Sequence, residues 1–532
     1  MPTLDWIGKD KVINHHKDVP YKVLERKYSF DESGMHREDI HSNNMIIHGD
    51  NLEALKSFLP QYEGKIKCIY IDPPYNTGNE GWIYNDNVND PKIKKWLGEV
   101  VGKEGEDLSR HDKWLCMMYP RFVLLQKLLA EDGAIFISID DNEHANLLLV
   151  CNEIFGSNNF IQDIIWNKRV SPARDAKFFS TDHEYILVYS KNKESLTTHF
   201  LPRTEKNNSY YKNPDNDPRG PWNSAAYTCN KSRDERPNLY YPITNPYTGE
   251  KIFPKESAVW AYSEETYQQH VRDNLLYWGV NGEAKQPRKK AFLSEVGDVV
   301  PRSVWSHSDV GSTQKATMEN NTIFNMRAFS YPKVSTLVER IIQIASDKDS
   351  IVLDSFAGSG TTAHAVLNMN KSDGGNRKFI LVEMGDYADT ITAERVKRVI
   401  NGYGEGKNAV EGTGGNFSYY ELGNPLFMQD GTINDEVDIT EVRKYVWYTE
   451  TNGIEYKEDI QEKYFLGSYN DTAYYFYYEK DRVTILDYEF LTSVHKKEQT
   501  YVMYADSCAL SDSDLQKWNI TFKKIPRDIE HI

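Results

Sequence analysis

The chain has 532 residues, of which 39% are hydrophobic and 13% aromatic, so it can bury sizeable cores and is not disordered throughout. Its length favours two to four domains over a single core. The formal net charge of −16 argues against a histone-like DNA-binding protein, in which positive charge would dominate.

The N-terminal residues, the apolar stretches and the cysteines indicate the cellular compartment that the sequence favours. Residues 1–16 contain no apolar signal-peptide core, and no stretch approaches the length of a membrane span. The five cysteines are scattered and form no CxxC pair, so we expect neither a disulfide framework nor a metal site. A reducing cytoplasm is the location that this pattern favours.

Predicted strands and helices alternate over the first third of the chain. In chain order they are a strand at 44–49, a helix at 51–59, a strand at 67–72, a helix at 120–131, a strand at 133–140, a helix at 142–155 and strands at 160–170 and 183–192. Continuous apolar strands that alternate with helices are typical of a parallel sheet buried on both faces.

The alternation stops at residues 201–310, which are rich in Asn, Pro, Gly, Tyr and Trp and have poor helical periodicity. This composition predicts an irregular, β-containing insert. The alternation then returns, with a helix at 333–347, a strand at 350–354, a helix at 360–370, a strand at 378–383 and a helix at 388–400. A glycine-rich linker at 401–416 precedes an acidic, tyrosine-rich segment.

A glycine turn connects the strand at 350–354 to the following helix, in the sequence "DSFAGSGTTAHAV". Gly358 and Gly360 let the backbone approach a ligand closely, and the helix offers free N–H groups at its start. Glu383 ends the next strand, where its carboxylate can accept two hydrogen bonds from ribose hydroxyls. These features predict a nucleotide site at the carboxyl edge of the sheet.

Several ligands fit such a turn. A P-loop for ATP requires a lysine that is absent here. The segment "GSGTTA" matches the dinucleotide pattern GxGxxG/A, which would indicate NAD. A methyl-donor site would use Asp354 at the strand end to bind a positively charged amino group. An ordinary glycine-rich turn is the fourth possibility.

A second motif, Asp72-Pro73-Pro74-Tyr75, ends the apolar strand at 67–72. An aromatic exocyclic amine is a poor nucleophile, because its lone pair is delocalised into the ring. The Asp72 carboxylate and the Pro73 carbonyl could accept its two N–H groups and localise that lone pair. Tyr75 could stack on a base that has left the duplex. An ordinary strand-end turn would also tolerate two prolines.

Together the two motifs resemble those of amino-group methyltransferases that use S-adenosylmethionine (AdoMet), with "DPPY" as the catalytic motif and "DSFAGSG" as the cofactor motif. The catalytic motif comes first, which resembles the circularly permuted β class. Asp at position 72 resembles the adenine-N6 type, since cytosine-N4 enzymes more often carry Ser there. Over residues 40–532 the chain looks like the modification (Mod) subunits of type III restriction–modification systems. The segments that carry this likeness are "IHGDNLEALKSFL", "IYIDPPYNTG", "AIFISIDDNE", "HEYILVYSKN", "YYPITNPYTGE", "AFSYPKV", "VMYADSCAL" and "FKKIPRDI".

The resemblance implies an α/β, Rossmann-like methyltransferase fold, circularly permuted, with an inserted target-recognition domain and a C-terminal α+β domain. The implied divisions are an N-terminal extension at 1–39, a catalytic half at 40–200, the recognition insert at 201–310, an AdoMet-binding half at 311–405 and an association domain at 406–532.

The implied site residues fall into three groups. The catalytic residues are Asp72, Pro73, Pro74 and Tyr75. The cofactor-binding residues are Asp354, Phe356, Gly358, Gly360, Thr361 and Glu383, with Phe329 and Lys333 near the methionine part of AdoMet and Asp50 near its adenine. The candidates for DNA phosphate contacts are Arg288, Lys289 and Lys290, for which a solvated loop is the alternative.

The expected function is methylation of adenine N6 in a specific duplex DNA sequence after base flipping, in a prokaryotic cytoplasm. A stand-alone adenine methyltransferase, a cytosine-N4 methyltransferase, an NAD-dependent oxidoreductase and a non-catalytic DNA-binding subunit are the alternatives. As a type III subunit, the chain would require a separate helicase–nuclease subunit for cleavage.

The aromatic run in the C-terminal segment predicts an association surface. Alternation along it would leave one face for a core and the other for a partner or water, which favours homodimerisation. The run consists of Tyr474, Tyr475, Phe476, Tyr477 and Tyr478.

Overall fold

The computed structural model describes residues 3–77, 110–174, 176–451, 454, 456–457 and 462–530. The chain divides into two compact units, one formed by Met1–His199 with Arg302–Ile532 and the other by Phe200–Pro301. Within the described ranges, no helix is long and apolar enough to cross a membrane.

The strands of the larger unit that precede the insertion are β1 (Lys22–Asp31), β2 (Gly34–His36), β3 (Met45–His48), β4 (Ile66–Ile71), β5 (Leu129–Ile139), β6 (Phe160–Asn167) and β7 (His183–Ser190). Those of the smaller unit are β8 (Trp222–Ala226), β9 (Thr228–Cys229), β10 (Ile243–Thr244), β11 (Lys251–Ile252), β12 (Val259–Trp260), β13 (Leu276–Tyr277) and β14 (Arg288–Phe292). The larger unit then continues with β15 (Val304–Trp305), β16 (Ile351–Asp354), β17 (Lys378–Glu383), β18 (Gly402–Tyr403), β19 (Val410–Glu411), β20 (Asn416–Pro425), β21 (Phe465–Tyr469), β22 (Thr472–Phe476), β23 (Ile485–Leu486), β24 (Thr500–Ala505), β25 (Ser507–Cys508) and β26 (Ile520–Lys524).

The α-helices, in chain order, are α1 (Lys9–Val12), α2 (His15–Asp18), α3 (Asn51–Tyr62), α4 (Arg110–Leu128), α5 (His144–Cys151), α6 (Glu205–Asn208), α7 (Glu264–Arg272), α8 (His307–Val310), α9 (Thr313–Phe324), α10 (Ser335–Ala345), α11 (Thr361–Asp373), α12 (Glu394–Asn401), α13 (Ile439–Thr451), α14 (Tyr488–Thr492) and α15 (Asp512–Lys517).

The larger unit is built on an eleven-stranded sheet in the order β15-β6-β7-β5-β4-β16-β17-β3-β20-β1-β2. Strands β5, β4, β16, β17, β3 and β20 are parallel, whereas β7 and β1 run antiparallel to their neighbours. The expectation of a parallel sheet is therefore confirmed for these six strands and wrong for β7 and β1. The described residues between β6 and β7, 168–174 and 176–182, contain no helix, and a parallel pair would need a crossover connection.

Strand β4 lies near the middle of this sheet, and all six of its residues are buried. Its side chains alternate between the two faces, so burial along the whole strand means that the sheet is covered on both sides. Because β4 and β16 are adjacent and parallel, the segments that follow them meet at one edge of the sheet.

The smaller unit has its own core, formed by Tyr227, Tyr241, Ile243, Trp260, Tyr267 and Trp278. Strands β13, β14 and β8 form a three-stranded sheet within it. The predicted insert extended to residue 310, but residues 302–310 belong to the larger unit, where β15 pairs with β6.

The C-terminal segment contributes to the large sheet and also forms a four-stranded sheet of its own. Strand β20 lies between β3 and β1 in the large sheet, so the predicted boundary at 405 precedes a strand of that sheet. Strands β21, β22, β24 and β26 form a second sheet. Tyr474 and Phe476 pack in one core and Tyr475 in another, so both faces of β22 are buried. The expectation that one face of the aromatic run is open to a partner is wrong there, because each face of β22 packs in a core of this chain.

Candidate active site

A cavity of about 440 Å³ lies where the carboxyl ends of β4 and β16 meet. Its lining combines residues 72–75, residues of the glycine turn at 354–362 and the segment 329–333. Lys168 and Glu184, from the ends of β6 and β7, also line it. The fold thus brings together the two motifs that the sequence singled out, although they are far apart along the chain.

Asp72 is held by hydrogen bonds from two sides. The Tyr75 hydroxyl donates to Asp72 Oδ1 at 2.9 Å, and Lys333 Nζ lies 3.0 Å from the same oxygen. The indole N–H of Trp114 donates to the Pro74 carbonyl at 2.7 Å, which fixes the turn from below. The Asp72 carboxylate is therefore held in place by its neighbours within the chain.

Glu184 is a site residue that the sequence analysis missed. Its carboxylate lies 2.9 Å from Lys168 Nζ, 3.0 Å from Lys333 Nζ and 3.1 Å from the Tyr75 hydroxyl oxygen, whose one proton Asp72 and Glu184 compete for. The one available signal was an acid near the start of the otherwise apolar segment "HEYILVY". Buried charges of this kind are normally paired.

The two carboxylates respond differently to this environment. Burial raises the pKa of Asp72, against the lowering effect of Lys333. Burial also acts to raise the pKa of Glu184, but Lys333 and Lys168 outweigh it and hold that pKa at about 2. Burial acts to lower the pKa of Lys333, yet Asp72 and Glu184 raise it above the ordinary value. The site therefore keeps Glu184 and Lys333 charged.

The glycine turn lies against the other end of the cavity. Asp354 accepts hydrogen bonds from the Phe356 N–H at 3.0 Å and from the Thr362 hydroxyl, and its burial raises the pKa to about 7. Gly358 and Gly360 have φ values of 53° and 82°. A Cβ atom at Gly360 would lie 2.9 Å from the Thr392 carbonyl oxygen, so the turn requires glycine there.

Glu383 supports this turn directly. Its carboxylate accepts hydrogen bonds from the N–H groups of Gly358 at 2.7 Å and Gly385 at 2.8 Å, and from the Tyr387 hydroxyl at 2.9 Å. A carboxylate has about four acceptor positions, so these donors already use most of them. Its expected role towards ribose hydroxyls stays a prediction.

A buried arginine holds the same turn from behind. Arg395 donates to the hydroxyl oxygens of Ser359 at 2.8 Å and Thr361 at 2.9 Å, and it pairs with Glu319 at 3.2 Å. These contacts of Arg395 were not predicted, because its position in the amphipathic segment 388–400 suggests only a solvated helix face.

The remaining cofactor candidates differ in whether they line the cavity. Phe329, Thr361 and Lys333 line the cavity, and the ring of Phe329 packs edge-on against Tyr387. Asp50 lies outside the lining of this cavity. It caps the start of α3 and lies 3.3 Å from Arg121.

The three phosphate-contact candidates lie on β14 of the smaller unit. Arg288 is exposed and donates to the hydroxyl and carbonyl of Ser224, while Lys289 lies 5.0 Å from the centre of the Tyr262 ring. The prediction of a phosphate contact is wrong for Lys290. It is buried between two aspartates, at 2.5 Å from Asp215 and 2.8 Å from Asp217, so it is not available to a phosphate.

With this geometry established, the comparisons with known proteins identify the family. The family model described as DNA methylase matches residues 66–394, which include both motifs and the segment between them. The chain belongs to the DNA methylase family.

Individual relatives are similar over most of this chain. The Mod subunit of the type III restriction–modification enzyme StyLTI of Salmonella typhimurium is 34% identical over 424 residues, which cover 74% of this chain and 62% of that protein. The EcoPI Mod subunit of Escherichia phage P1 is 32% identical, over 72% of this chain and 63% of that protein. The type II methyltransferase M.KpnI of Klebsiella pneumoniae is 33% identical, over 64% of this chain and 81% of that protein. The matches thus span less than two thirds of the length of these two Mod subunits.

Proposed function

We propose that this protein transfers a methyl group from AdoMet to adenine N6 in a specific duplex DNA sequence, after the target base has rotated out of the helix. One observation carries the proposal: Asp72 and Tyr75 line the same cavity as the glycine turn that follows Asp354. A cofactor motif alone would serve many ligands, but an acceptor for an amine in the same cavity restricts the chemistry.

The residues present fit AdoMet. The cavity volume of about 440 Å³ lies within the range of small-molecule sites. Asp354 is a buried carboxylate with a raised pKa, so the ammonium group of a methionine moiety would stabilise its ionised form. When bound, AdoMet supplies a methyl group on a positively charged sulfur, which makes that carbon open to attack by an amine.

The chain's own residues act on the target amine. The Asp72 carboxylate accepts one N–H of adenine N6, and the Pro73 carbonyl accepts the other. These two acceptors localise the nitrogen lone pair and meet the positive charge that develops as the new N–C bond forms. The methylated nitrogen then loses one proton, which the Asp72 carboxylate can accept and pass on to solvent. Lys333 lies 3.0 Å from Asp72 Oδ1, so it must yield that hydrogen-bonding position when the base enters.

Adenine is favoured over cytosine by the acid at position 72, which resembles the adenine-N6 motif. The decisive experiment is mass spectrometry of nucleosides from DNA of cells expressing the chain, together with long-read mapping of the modified positions. We expect N6-methyladenine in one sequence context. N4-methylcytosine in its place would overturn the base assignment.

The matched control for this experiment is Asp72→Ala. Loss of one preorganised acceptor should reduce turnover about a hundredfold or more, while AdoMet binding measured by titration calorimetry stays nearly intact. Normal turnover by this variant would remove the catalytic assignment.

We further propose that the chain is the modification subunit of a type III restriction–modification system, with a separate helicase–nuclease subunit as partner and a homodimer as its assembly. The identity to the StyLTI and EcoPI Mod subunits supports the type. The match to M.KpnI favours a stand-alone methyltransferase as the second candidate. Light scattering on the full chain, with and without DNA, tests the dimer. Copurification with a restriction subunit encoded beside the chain separates the two candidates.

A further inference from the structure

The loop between β6 and β7, of which residues 168–174 and 176–182 are described, begins at the rim of the cavity. At its start Lys168 and Arg169 line the cavity, and just past its end Glu184 does so too. The N–H groups of Lys168 and Arg169 both donate to the Asp182 carbonyl, at 2.8 and 3.4 Å, which closes the loop at its base. The loop is thus attached to the catalytic network at both ends.

Two neighbouring phenylalanines project from this loop into solvent. Phe178 is 82% exposed and Phe179 is 91% exposed, which is unusual for large apolar side chains. Phe179 is three residues from Asp182, so the chain can carry it no more than about 11 Å from the closed base of the loop. The backbone of Phe179 therefore stays within about 11 Å of the loop base, next to residues that line the cavity.

The loop is shaped and charged for a nucleic acid. The Ala173 N–H donates to Ser180 Oγ at 2.6 Å, and the Ser180 hydroxyl donates to Asp182, so the tip is held by its own side chains. Three cations on the loop are also exposed: Arg169, Arg174 and Lys177. Exposed aromatic rings beside cations can stack on bases while the cations contact neighbouring phosphates.

We propose that Phe178 and Phe179 form a wedge that enters the DNA base stack at the position vacated by the target base. The wedge replaces part of the stacking that is lost when the base rotates out, and the cations hold the flanking phosphates. This inference rests on the proposed function, because only a flipped base leaves such a gap. It assigns the loop a role in base flipping rather than in the methyl transfer itself.

The test uses the full chain and a duplex that carries the mapped recognition sequence, with 2-aminopurine in place of the target adenine. Its fluorescence increases when the base leaves the stack. In the Phe178→Ala/Phe179→Ala variant we expect this increase to be largely lost and methylation of the ordinary duplex to slow about tenfold or more. AdoMet affinity should not change, because neither ring lines the cavity.

Three comparisons separate this role from a structural one. A duplex with an abasic position opposite the target adenine needs less energy for flipping, so it should restore most of the variant's rate. The Phe178→Tyr/Phe179→Tyr variant keeps the rings and should behave like the wild type. Val483→Ala removes an apolar side chain that is 72% exposed in the C-terminal segment, and it should have no effect.

Different results would contradict the wedge and the proposed function. Normal fluorescence and normal rates in the double alanine variant would overturn the wedge. So would a slow rate that the abasic duplex does not restore, or conversion of a dimer to a monomer by the double variant in light scattering. A wild-type chain that binds AdoMet but modifies no DNA would instead remove the proposed function, and the wedge with it.

Discussion

At the residue scale, the site depends on how charge is shared around Lys333. Its ammonium group lies 3.0 Å from both Asp72 and Glu184, and a second lysine, Lys168, contacts only Glu184. Glu184 therefore pairs with both lysines. Its own negative charge opposes ionisation of the Asp72 carboxyl group. Asp72 keeps a carboxylate that is less firmly paired than its neighbour and thus more available to a substrate amine.

The Glu184→Gln variant tests whether the charge of Glu184 raises the pKa of Asp72. Asp72 must be ionised to accept an N–H, and the charge of Glu184 helps to raise the pKa of Asp72. Removing that charge should lower the pKa of Asp72, so the acid limb of the kcat profile should move to lower pH. AdoMet affinity should change little. Glu479→Gln, which alters a surface pair with Lys463, is the matched control and should leave the profile unmoved. A profile that stays in place in Glu184→Gln would show that Glu184 has no electrostatic effect on Asp72.

Asp354 predicts a pH dependence of cofactor binding. Its raised pKa of about 7 means that the carboxyl is largely protonated at pH 6 and about half ionised at pH 7. An ammonium group binds the ionised form, so the Kd for AdoMet should fall roughly fivefold between pH 6 and pH 7. Asp354→Asn should bind AdoMet weakly, with no such pH dependence. Titration calorimetry across this range measures both, and a wild-type affinity independent of pH would contradict the role.

The cavity residues that could be predicted from the sequence belong to contiguous motifs. Asp72 through Tyr75 and Asp354 through Gly360 each follow a strand directly, so their neighbours along the chain announce them. Glu184 and Arg395 could not be found in this way, because their roles arise only from contacts with residues far away in sequence. Lys290 failed for the same reason: its two aspartates lie on a distant segment of the smaller unit.

At the element scale, the glycine turn leaves no room for a side chain at Gly360. Gly360 begins α11 with φ at 82°, and an added Cβ atom would lie 2.9 Å from a backbone oxygen. The backbone of Thr392 cannot retreat without moving the helix that carries Arg395. The shape of the turn is thus fixed by the packing around it as well as by its own glycines.

Gly360→Ala should weaken AdoMet binding, because the turn must shift to relieve the contact with Thr392. Gly374→Ala is a matched control at the other end of the same helix. It has a similar φ of 68° but has no atom within 4 Å of the added Cβ, so it carries the left-handed strain of about 1–2 kcal/mol without the clash. Titration with AdoMet and thermal unfolding should separate the two variants. Equal AdoMet affinities would mean that the turn does not form the cofactor site.

Strand and helix order was also predictable from the apolar pattern, whereas strand direction was not. The segments at 160–170 and 183–192 are as apolar as parallel strands, and only the missing helix between them indicated a reversal. The prediction for the aromatic run at 474–478 was wrong within β22 for a related reason. Alternation predicts one exposed face, but the chain supplies apolar partners for both faces from elements on either side of the run.

At the scale of the whole molecule, the smaller unit is connected to the larger one through two adjacent strand segments. Leu201 and Val299 exchange backbone hydrogen bonds of 2.8 and 2.7 Å, so the chain enters and leaves this unit side by side. Immediately beyond, the Ser303 carbonyl accepts a hydrogen bond from the Ile165 N–H, and Trp305 is buried in the larger unit. An exchange of the unit should therefore end at residue 301.

This boundary predicts how two chimeric proteins should differ. Replacement of residues 200–301 by the corresponding unit of a relative should change which DNA sequence is methylated and leave the chemistry and the thermal stability nearly unchanged. Replacement of 201–310 should change the sequence too, but at a lower unfolding temperature, because it brings a foreign strand and a foreign residue 305 into the core around β6. Long-read mapping of methylated adenines and calorimetric unfolding of both chimeras measure these effects. If the shorter chimera methylates the original sequence, recognition lies outside residues 200–301, in the larger unit or in a second subunit.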